Sequence, residues 1–381
     1  MTMTPAEQAL CTQAETLVRE IIAPNAARWE RDRQIGLEGL RAAVDLGLTR
    51  LQVPEAFGGL NYSFACKARL ADILAAGDFG FTMSLINTHN IAAKLARDAA
   101  PQVAARYVPD LIAGKRLGCT ALTENGAGSD FAAIRTLATK VKGGWRIDGA
   151  KDWITNATVA DVIVLYAQTL PGSGNKGIAA FVIDGRRDGF RREPASALGG
   201  QHTIGTGSFK LDGYFAHDDE LIHPPGQAFK KAMGSINGAR TYIAAMCCGM
   251  VGEALRVVQA YGAQRQTFGK ALTDHQGWRW RVAEAASELA ACRLMVNHAA
   301  GLIDQGHDAQ LAAAQTKLMA TRMADRQLPL LAQAMGAEGL REHHPFARHL
   351  MGARVAGFVD GSTEMLLERI CAVLRADADS A

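Results

Sequence analysis

Two short segments place small, hydroxyl-bearing and aromatic residues at a spacing that suits the binding of a flat polar ligand. Residues 121–130 read Ala-Leu-Thr-Glu-Asn-Gly-Ala-Gly-Ser-Asp, and residues 151–157 read Lys-Asp-Trp-Ile-Thr-Asn-Ala. The glycines let the backbone lie close to a ligand. Thr123 and Thr155 supply hydroxyl donors, and Trp153 supplies a broad aromatic face. These segments therefore predict a site for a ring system rich in hydrogen-bond acceptors.

The two segments resemble the flavin-binding segments of the acyl-CoA dehydrogenase superfamily, and the resemblance extends over essentially the whole chain in family order. It implies FAD as the cofactor. By this resemblance Thr123 hydrogen-bonds the pyrimidine edge of the flavin, Thr155 donates to flavin N5, which receives hydride, and Trp153 flanks the ring. An ordinary aromatic plug between domains remains an open alternative for Trp153.

The first segment carries further implied contacts. The resemblance assigns Leu122 and Gly128 to the cofactor site and places Ser129 near the phosphates of both the cofactor and the thioester. The segment departs from the family at Asn125, where proline is usual. Taken alone, it could be a glycine- and serine-rich turn between a helix and a strand. The second segment at the expected spacing favours a flavin site.

A third motif spans Arg265–Leu272 and is followed by His275 and Gln276. In the resemblance Arg265 and Phe268 grip the ADP half of an FAD bound to a neighbouring subunit, and Gln276 is also assigned to the cofactor. The guanidinium fork suits pyrophosphate oxygens. The alternative is the end of a helix capped by Gly269, with a solvated arginine. The functional interpretation implies an oligomer, a homotetramer by resemblance, with a dimer left open.

The fourth motif, Gln333–Leu340, resembles the family loop that approaches the adenine half of FAD. Gln333 and Gly336 are assigned to that role, although Ala337 replaces a glycine and Leu340 replaces a tyrosine. By the same resemblance, reduced flavin passes its electrons to an electron-transferring flavoprotein.

The expected acyl-CoA site includes Met233–Arg240, which matches the helix that lines it in the family. Arg240 is the candidate for contact with CoA. Asn237 stands where many members carry an aspartate, and it is assigned to the substrate. Either residue could instead be a plain polar residue on a helix face.

The reaction requires a carboxylate that removes the α-proton of the thioester while hydride leaves the β-carbon. Residues 358–364 read Phe-Val-Asp-Gly-Ser-Thr-Glu, and Asp360 occupies the position of the glutamate that serves as base in most of the superfamily. Some members place the base before the arginine of the substrate helix, but Ala239 stands there. The resemblance also assigns Gly361 to the substrate and Ser362 to the cofactor.

Asp360 has a competing interpretation, because Asp-Gly-Ser-Thr is a good helix start and the aspartate could be its cap. As a base, aspartate is shorter than glutamate by about one C–C bond, roughly 1.5 Å. Uncompensated, such a displacement costs on the order of 100-fold in rate. We therefore expect a pocket adapted to a branched or cyclic acyl group. A nitroalkane oxidase-like or acyl-carrier-protein-linked flavin oxidase is the alternative.

The elements that must position these residues follow a helical, then β, then helical order. The pattern predicts an α+β multidomain fold. By resemblance it has an N-terminal all-α domain (1–116), a middle β-barrel or sandwich domain (117–226) and a C-terminal four-helix bundle (227–381). In the second C-terminal segment Ala285, Leu289, Cys292, Val296 and Ala299 recur every three or four residues, as a bundle helix requires.

The spacing of apolar residues and the positions of helix-breaking residues predict the individual helices and strands. The first helix is expected to begin at Ala6 and to stop at Pro24. Residues 145–149 and 208–213 are interpreted as strand ends with tight turns. The other predicted helices are Leu37–Leu46, Phe64–Ala76, Thr82–Arg97, Gln102–Ala113, 227–261, 275–304, 308–335 and 345–375, and the predicted strands are Asp161–Gln168 and Gly177–Asp184.

Gly172–Gly177 satisfies the G-x-G-x-x-G spacing of a dinucleotide-binding loop. That motif needs a helix immediately after it, whose N-terminus holds the pyrophosphate. A strand-like run, Ile178–Ile183, follows instead. We interpret the motif as a β-hairpin loop.

Composition argues against several other classes of protein. The 381 residues are 48% apolar and 21% charged, with a net charge of +3, too small to indicate nucleic acid or an anionic membrane as a partner. Seven scattered cysteines without a C-x-x-C pair predict reduced thiols and no metal site. Residues 1–10 lack a signal pattern, and the apolar run Ile243–Gly252 is half a membrane span. We expect a cytoplasmic protein.

Overall fold

Helices make up both ends of the chain, and a mixed β-sheet lies between them in the sequence. The computed structural model describes residues 3–194 and 198–380. Thr4, Ser63 and Asp78 cap three of the N-terminal helices, because their side-chain oxygens accept from backbone N–H groups in the first turn. These helices are α1 (Pro5–Leu17), α2 (Ala23–Arg31), α3 (Leu37–Asp45), α4 (Phe64–Gly77), α5 (Phe79–Asp98) and α6 (Pro101–Ile112).

The predicted stop at Pro24 is wrong, because the chain stays helical through this proline. A π-helical turn, Val18–Ile22, joins α1 to α2. Pro24 lies in the first turn of α2, where its missing N–H costs little. The side chain of Asn25 donates to the carbonyl of Ile21 at 2.8 Å and so satisfies an acceptor beside the wide turn.

The middle region folds into one mixed sheet with the strand order β6-β7-β3-β2-β4-β5-β8, and β1 pairs with β4 off this path. The pairs β1–β4 and β2–β4 are parallel, and the other pairs are antiparallel. The strands are β1 (Gly118–Ala121), β2 (Leu137–Val141), β3 (Gly144–Ile154), β4 (Val162–Gln168), β5 (Ile178–Asp184), β6 (Phe190–Arg192), β7 (Gly207–His217) and β8 (Leu221–His223).

The two predicted strand ends lie instead inside the long strands β3 and β7. Gly149 marks a register shift in β3, where it adopts φ 149° and where a Cβ would lie 2.7 Å from the Cα of Thr136. The glycine thus bends the strand without ending it. The interpretation of Gly172–Gly177 as a hairpin loop is confirmed, since it joins the antiparallel strands β4 and β5.

Long helices return after the sheet: α7 (Ala228–Gln264), α8 (Gln276–Asp304), α9 (Gln310–Ala334), α10 (Phe346–Phe358) and α11 (Thr363–Ser380). A small hairpin, β9 (Gln266–Thr267) and β10 (Lys270–Ala271), joins α7 to α8. The segment 345–375 forms two helices, α10 and α11, separated where Asp360 and Gly361 adopt φ of 54° and 100°. The interpretation of Gly269 as a helix cap is wrong, because it lies in the hairpin turn at φ 78°.

Helix α7 runs through the centre of the largest hydrophobic core and packs against α4, α8 and α9. Gly249 allows the close approach of α4, because a Cβ there would lie 2.0 Å from the backbone oxygen of Asp72. Among the described residues α7 alone is long and apolar enough to cross a membrane, yet 67% of its most apolar window is buried inside the protein. Such burial is typical of a core helix.

Helix α4 is held by α8 at its N-terminus and in its second half. The carboxylate of Asp304, the last residue of α8, accepts from the N–H groups of Phe64 and Ala65 at 2.6 and 2.9 Å. Further along, Arg293 makes a bidentate pair with Asp72 at 2.8 and 2.9 Å. This clamp fixes α4 against α5 and α7, where the main cavity of the molecule opens.

Candidate active site

A cavity of about 640 Å³ lies where α4, α5 and α7 meet the ends of β1 and β3 and the connection between α10 and α11. It brings together predicted site residues from four separate parts of the sequence. These are Leu122, Thr123, Trp153, Thr155, Asn237 and Asp360. The cavity therefore combines the predicted flavin-binding segments with the candidate base.

The two predicted flavin-binding segments are fastened to each other by Lys151, a role that was not predicted from the sequence. Its side chain is 1% exposed, and its Nζ donates to Leu122 O and to Glu124 Oε1, each at 2.8 Å. The backbone N–H of Asp152 also donates a hydrogen bond to the backbone oxygen of Thr123 at 3.1 Å. The contacts hold Thr123 and Trp153 on one wall of the cavity.

The Lys151–Glu124 pair is buried, and its charges depend on each other. Burial lowers the pKa of Lys151 to about 8, although Glu124 works in the opposite direction. Burial alone would raise the pKa of Glu124, but Lys151 and the N–H groups of Arg135 and Thr136 outweigh it and lower that pKa. Both groups are thus charged at neutral pH, as a buried ion pair requires.

Backbone strain coincides with the predicted site. Trp153, Phe268 and Asp360 adopt φ of 59°, 50° and 54°. A left-handed conformation costs roughly 1–2 kcal/mol in a residue with a side chain and is rare for bulky side chains. Such strain persists where the surrounding structure imposes it, typically at functional sites. Trp153 is also 62% exposed in the single chain, which leaves an aromatic face available to a ligand.

The Asp360 loop, Val359–Ser362, is held by two buried cations from other helices. Lys317 of α9 is fully buried, and its Nζ donates to the carbonyls of Val359 and Gly361, the latter at 2.6 Å. Arg240 of α7 donates through Nε to the carbonyl of Asp360 at 3.2 Å. All three carbonyls around the aspartate are therefore fixed, and its side chain lines the cavity.

The environment makes Asp360 a stronger base than an ordinary aspartate. Burial raises the pKa of Asp360, while the charges of Lys317 and Arg240 offset part of that rise. Burial lowers the pKa of Lys317 to about 8, so this ammonium is charged at neutral pH. A carboxylate with a raised pKa suits proton abstraction.

Asp360 is not the cap of α11, so that alternative is wrong. Ser362 takes the capping position: its carbonyl accepts from Leu366 N–H at 3.0 Å, and its hydroxyl accepts from Met365 N–H at 3.5 Å. A helix capped by Asp360 would begin at the next residue, Gly361, but α11 begins at Thr363.

The structure does not bring the remaining predicted cofactor residues to the cavity. Gly128 and Ser129 lie exposed on the turn after β1. Phe268, 98% exposed, is at the tip of the β9–β10 hairpin, and Arg265 directly precedes this hairpin. The other members of this group, Gln276, Gln333 and Gly336, are exposed near the start of α8 and the end of α9. Their contact with a cofactor on a neighbouring subunit stays a prediction.

Arg240 and Asn237 lie on one stretch of α7, as expected of the substrate helix. Asn237 lines the cavity, whereas Arg240 is buried and contacts the Asp360 backbone. Its role as a contact for CoA also stays a prediction. Gly361 and Ser362 stay predictions as substrate and cofactor residues.

Lys67 of α4 is a further cavity residue that was not predicted from the sequence. Its Nζ donates to Gln52 Oε1 at 3.1 Å and to Asn90 Oδ1 at 2.6 Å, and it lies 5.2 Å from the centre of the Tyr242 ring. The only sequence signal was a lysine between Phe64 and alanines on an otherwise apolar helix face. Helical lysines are usually solvated, so this signal was weak.

Comparisons with known proteins agree with this architecture. Residues 4–115, 119–214 and 226–374 match the models of the acyl-CoA dehydrogenase N-terminal, middle and C-terminal domains. The chain is 28% identical over 353 residues to the mitochondrial short/branched chain specific acyl-CoA dehydrogenase of Rattus norvegicus, covering 92% of this chain and 82% of that protein.

Two further similarities concern a second enzyme and a solved structure. The (2S)-methylsuccinyl-CoA dehydrogenase of Cereibacter sphaeroides is 30% identical over 359 residues, 91% of this chain and 65% of that protein. The structure of butyryl-CoA dehydrogenase from Megasphaera elsdenii superposes with a TM-score of 0.94 at 26% identity, covering 98% of this chain and 99% of that one.

Proposed function

The chain belongs to the acyl-CoA dehydrogenase superfamily of flavin-dependent oxidoreductases, and from this premise we propose that Asp360 is the base in the FAD-dependent α,β-dehydrogenation of an acyl-CoA thioester. The single observation that carries the proposal is the placement of Asp360. Its carboxylate lines the same cavity as Thr123, Trp153 and Thr155, on a strained break between two helices. A base must lie in this relation to the cofactor site, since proton and hydride leave neighbouring carbons.

The residues at the cavity fit a flavin. Thr123 and Thr155 both line it with hydroxyl groups, and Trp153 presents an exposed ring there at the cost of a left-handed backbone. FAD when bound supplies the acceptor for the hydride that leaves the β-carbon of the substrate. Thr123, Thr155 and Trp153 would hold its ring system against the cavity.

In this mechanism the protein supplies the base and its orientation. The carboxylate of Asp360 takes the proton from the α-carbon, and a double bond forms between the α- and β-carbons as hydride departs. Lys317 and Arg240 hold the loop carbonyls and keep the aspartate aimed into the cavity. Asp360 then releases its proton when the unsaturated product leaves.

The substrate is proposed to be a branched or cyclic acyl-CoA. The support is the short side chain of Asp360, which reaches about 1.5 Å less far than a glutamate from the same backbone position. The names of two similar proteins, the short/branched chain specific acyl-CoA dehydrogenase and the (2S)-methylsuccinyl-CoA dehydrogenase, include branched acyl groups, whereas butyryl-CoA dehydrogenase is named for a straight one. An electron-transferring flavoprotein is the proposed electron acceptor, and a homotetramer the proposed assembly.

Anaerobic titration of the purified flavoprotein with a panel of CoA thioesters, followed by loss of flavin absorbance, tests the proposal. Branched or cyclic thioesters should bleach the flavin faster than butyryl- or octanoyl-CoA. Asp360→Asn should abolish rapid bleaching, whereas Asp308→Asn, a matched change at a cavity-lining residue, should not. Bleaching by Asp360→Asn at the parent rate would end the assignment. Oxygen consumption without an added acceptor would favour an oxidase.

A further inference from the structure

The ammonium of Lys67 is buried beside the cavity, and none of the described residues gives it a negative partner. The residue is 5% exposed and lines the cavity. In the described part of the chain its hydrogen-bond acceptors are the side-chain amides of Gln52 and Asn90, both neutral. An ammonium has three N–H donors, so one donor lacks a protein acceptor among these residues. A buried ammonium with an unpaired donor and no counter-charge is costly in free energy unless a ligand supplies the acceptor and the negative charge.

The neighbouring charges leave this part of the cavity positive. Asp98 is already shared by Lys94 at 3.0 Å and by His223 at 3.2 Å. Arg97 donates to the backbone oxygen of Gln52 at 2.6 Å and adds a further positive charge. The Lys67 end of the cavity, defined by Lys67, Gln52, Asn90, Arg97 and Tyr242, therefore holds two positive charges and no carboxylate among its own residues, while the carboxylate of Asp360 acts on it from the side of Tyr242.

We propose that the Lys67 end binds a carboxylate carried by the acyl group, so that the enzyme acts on the CoA thioester of a dicarboxylic acid. The inference rests on the proposed function and names the substrate class of the same site. The carboxylate supplies both the missing acceptor for Lys67 and the missing counter-charge.

Tyr242 provides a second donor for the same group. Its hydroxyl accepts from Asn90 Nδ2 at 3.3 Å, so the hydroxyl proton is free to be donated. Burial raises the pKa of Tyr242 well above its usual range, which keeps that proton in place. The ammonium and the phenol together form a two-donor cradle, with Asn90 bonded to both groups.

Other acyl groups fit this end less well. A purely apolar chain would remove the remaining water from the Lys67 ammonium and give it no acceptor. An acyl group with an amine, as in an aminoacyl thioester, would place a second positive charge beside Lys67 and Arg97. The electrostatics thus select an anion.

Pairs of thioesters with the same number of acyl carbons test the proposal in the flavin-loaded enzyme. Suitable pairs are glutaryl-CoA with valeryl-CoA, adipyl-CoA with hexanoyl-CoA, and 2-methylsuccinyl-CoA with 2-methylbutyryl-CoA. In at least one pair the carboxylated member should have a kcat/KM higher by about 30-fold or more, as for a desolvated charge pair. Equal values within every pair, with flavin still bleached, would overturn this inference while leaving the proposed function intact.

Variants separate charge recognition from a structural role. Lys67→Met keeps the length of the side chain and should reduce the preference within the pair to about threefold or less, chiefly through KM. Asn90→Asp places a carboxylate beside Lys67 and should weaken the same preference. Lys140→Met at the surface is the matched control and should keep the parent ratio. If Lys67→Met lowers kcat/KM equally for both members of a pair, Lys67 has a structural role and does not recognise the carboxylate.

The pH dependence of KM gives an independent readout. Burial lowers the pKa of Lys67 to about 7, and the ammonium form is the one that binds a carboxylate. The titratable and charged groups around it are His89 and Arg97 of α5, Tyr242 of α7 and, beyond Tyr242, Asp360 between α10 and α11. Burial keeps His89 neutral and Tyr242 protonated in this range. KM for the carboxylated thioester should therefore rise by up to about tenfold per unit above pH 7, and Lys67→Met should abolish that rise.

Discussion

Replacing Lys317 with methionine tests how a buried ammonium sets the proposed base. Lys317 donates to the carbonyls on both sides of Asp360, and its charge lowers the pKa of Asp360 against the effect of burial. Methionine keeps the length but has neither charge nor donors. An opposite charge nearby typically lowers a carboxyl pKa by roughly 1–3 units. Because the charge of Lys317 opposes the effect of burial, we expect Lys317→Met to raise the pKa of Asp360.

The rate of anaerobic flavin bleaching at different pH values measures this change. Asp360 must be deprotonated to accept a proton, so the rate rises with pH through its pKa. The curve of Lys317→Met, with each rate expressed relative to its own plateau, should therefore be displaced to higher pH than the parent curve. The two lost hydrogen bonds to a charged donor are each worth roughly 1.5–3 kcal/mol, so the loop also loosens. The plateau should then fall by up to about 100-fold.

Lys140→Met is the matched control, because it removes a surface ammonium that pairs with Asp218. It should reproduce the parent curve. If Lys317→Met shows the parent pH profile and the parent plateau, then Lys317 neither tunes nor positions Asp360, and its proposed role in the loop is refuted.

Three further predictions concern residues around the cavity. Glu124→Gln leaves the Lys151 ammonium buried without a counter-charge, and urea titration should show a loss of about 3–5 kcal/mol in unfolding free energy. Trp153→Gly relieves strain of roughly 1–2 kcal/mol, so the flavin-free protein should be no less stable, while equilibrium dialysis should show weaker FAD binding. Ser362→Ala should cost about 1 kcal/mol in thermal unfolding, and an unchanged melting temperature would contradict the assignment of the cap.

The helices and buried strands were predictable because their signals are local. The spacing of apolar residues and the caps Ser63 and Asp78 act within a few residues of each helix start. The errors occurred where a local signal competed with the rest of the fold. Pro24 reads as a stop, but a π turn carries the chain through it. Gly149 reads as a turn, but the pairing of β3 with β7 continues beyond it.

Part of the site was also predictable. Thr123, Thr155 and Asp360 were identified through the resemblance of their motifs to a known family, and the structure places all three on one cavity. The buried cations were not predictable. Lys151, Lys317 and Lys67 are ordinary lysines in the sequence, and nothing local distinguishes them from solvated ones.

The sequence by itself determined the order of helical and β regions, because periodicity and turn residues are local, and its motifs supplied the family resemblance that implies the flavin-binding segments and the candidate base. Only the tertiary structure decided how that base is held and what faces it. Lys317 and Arg240 reach the Asp360 loop from helices that are distant in the chain. Lys67 acquires its proposed role because α4, α5 and α7 enclose it with neutral partners. Burial and charge balance are properties of packed neighbours, and chain order does not specify them.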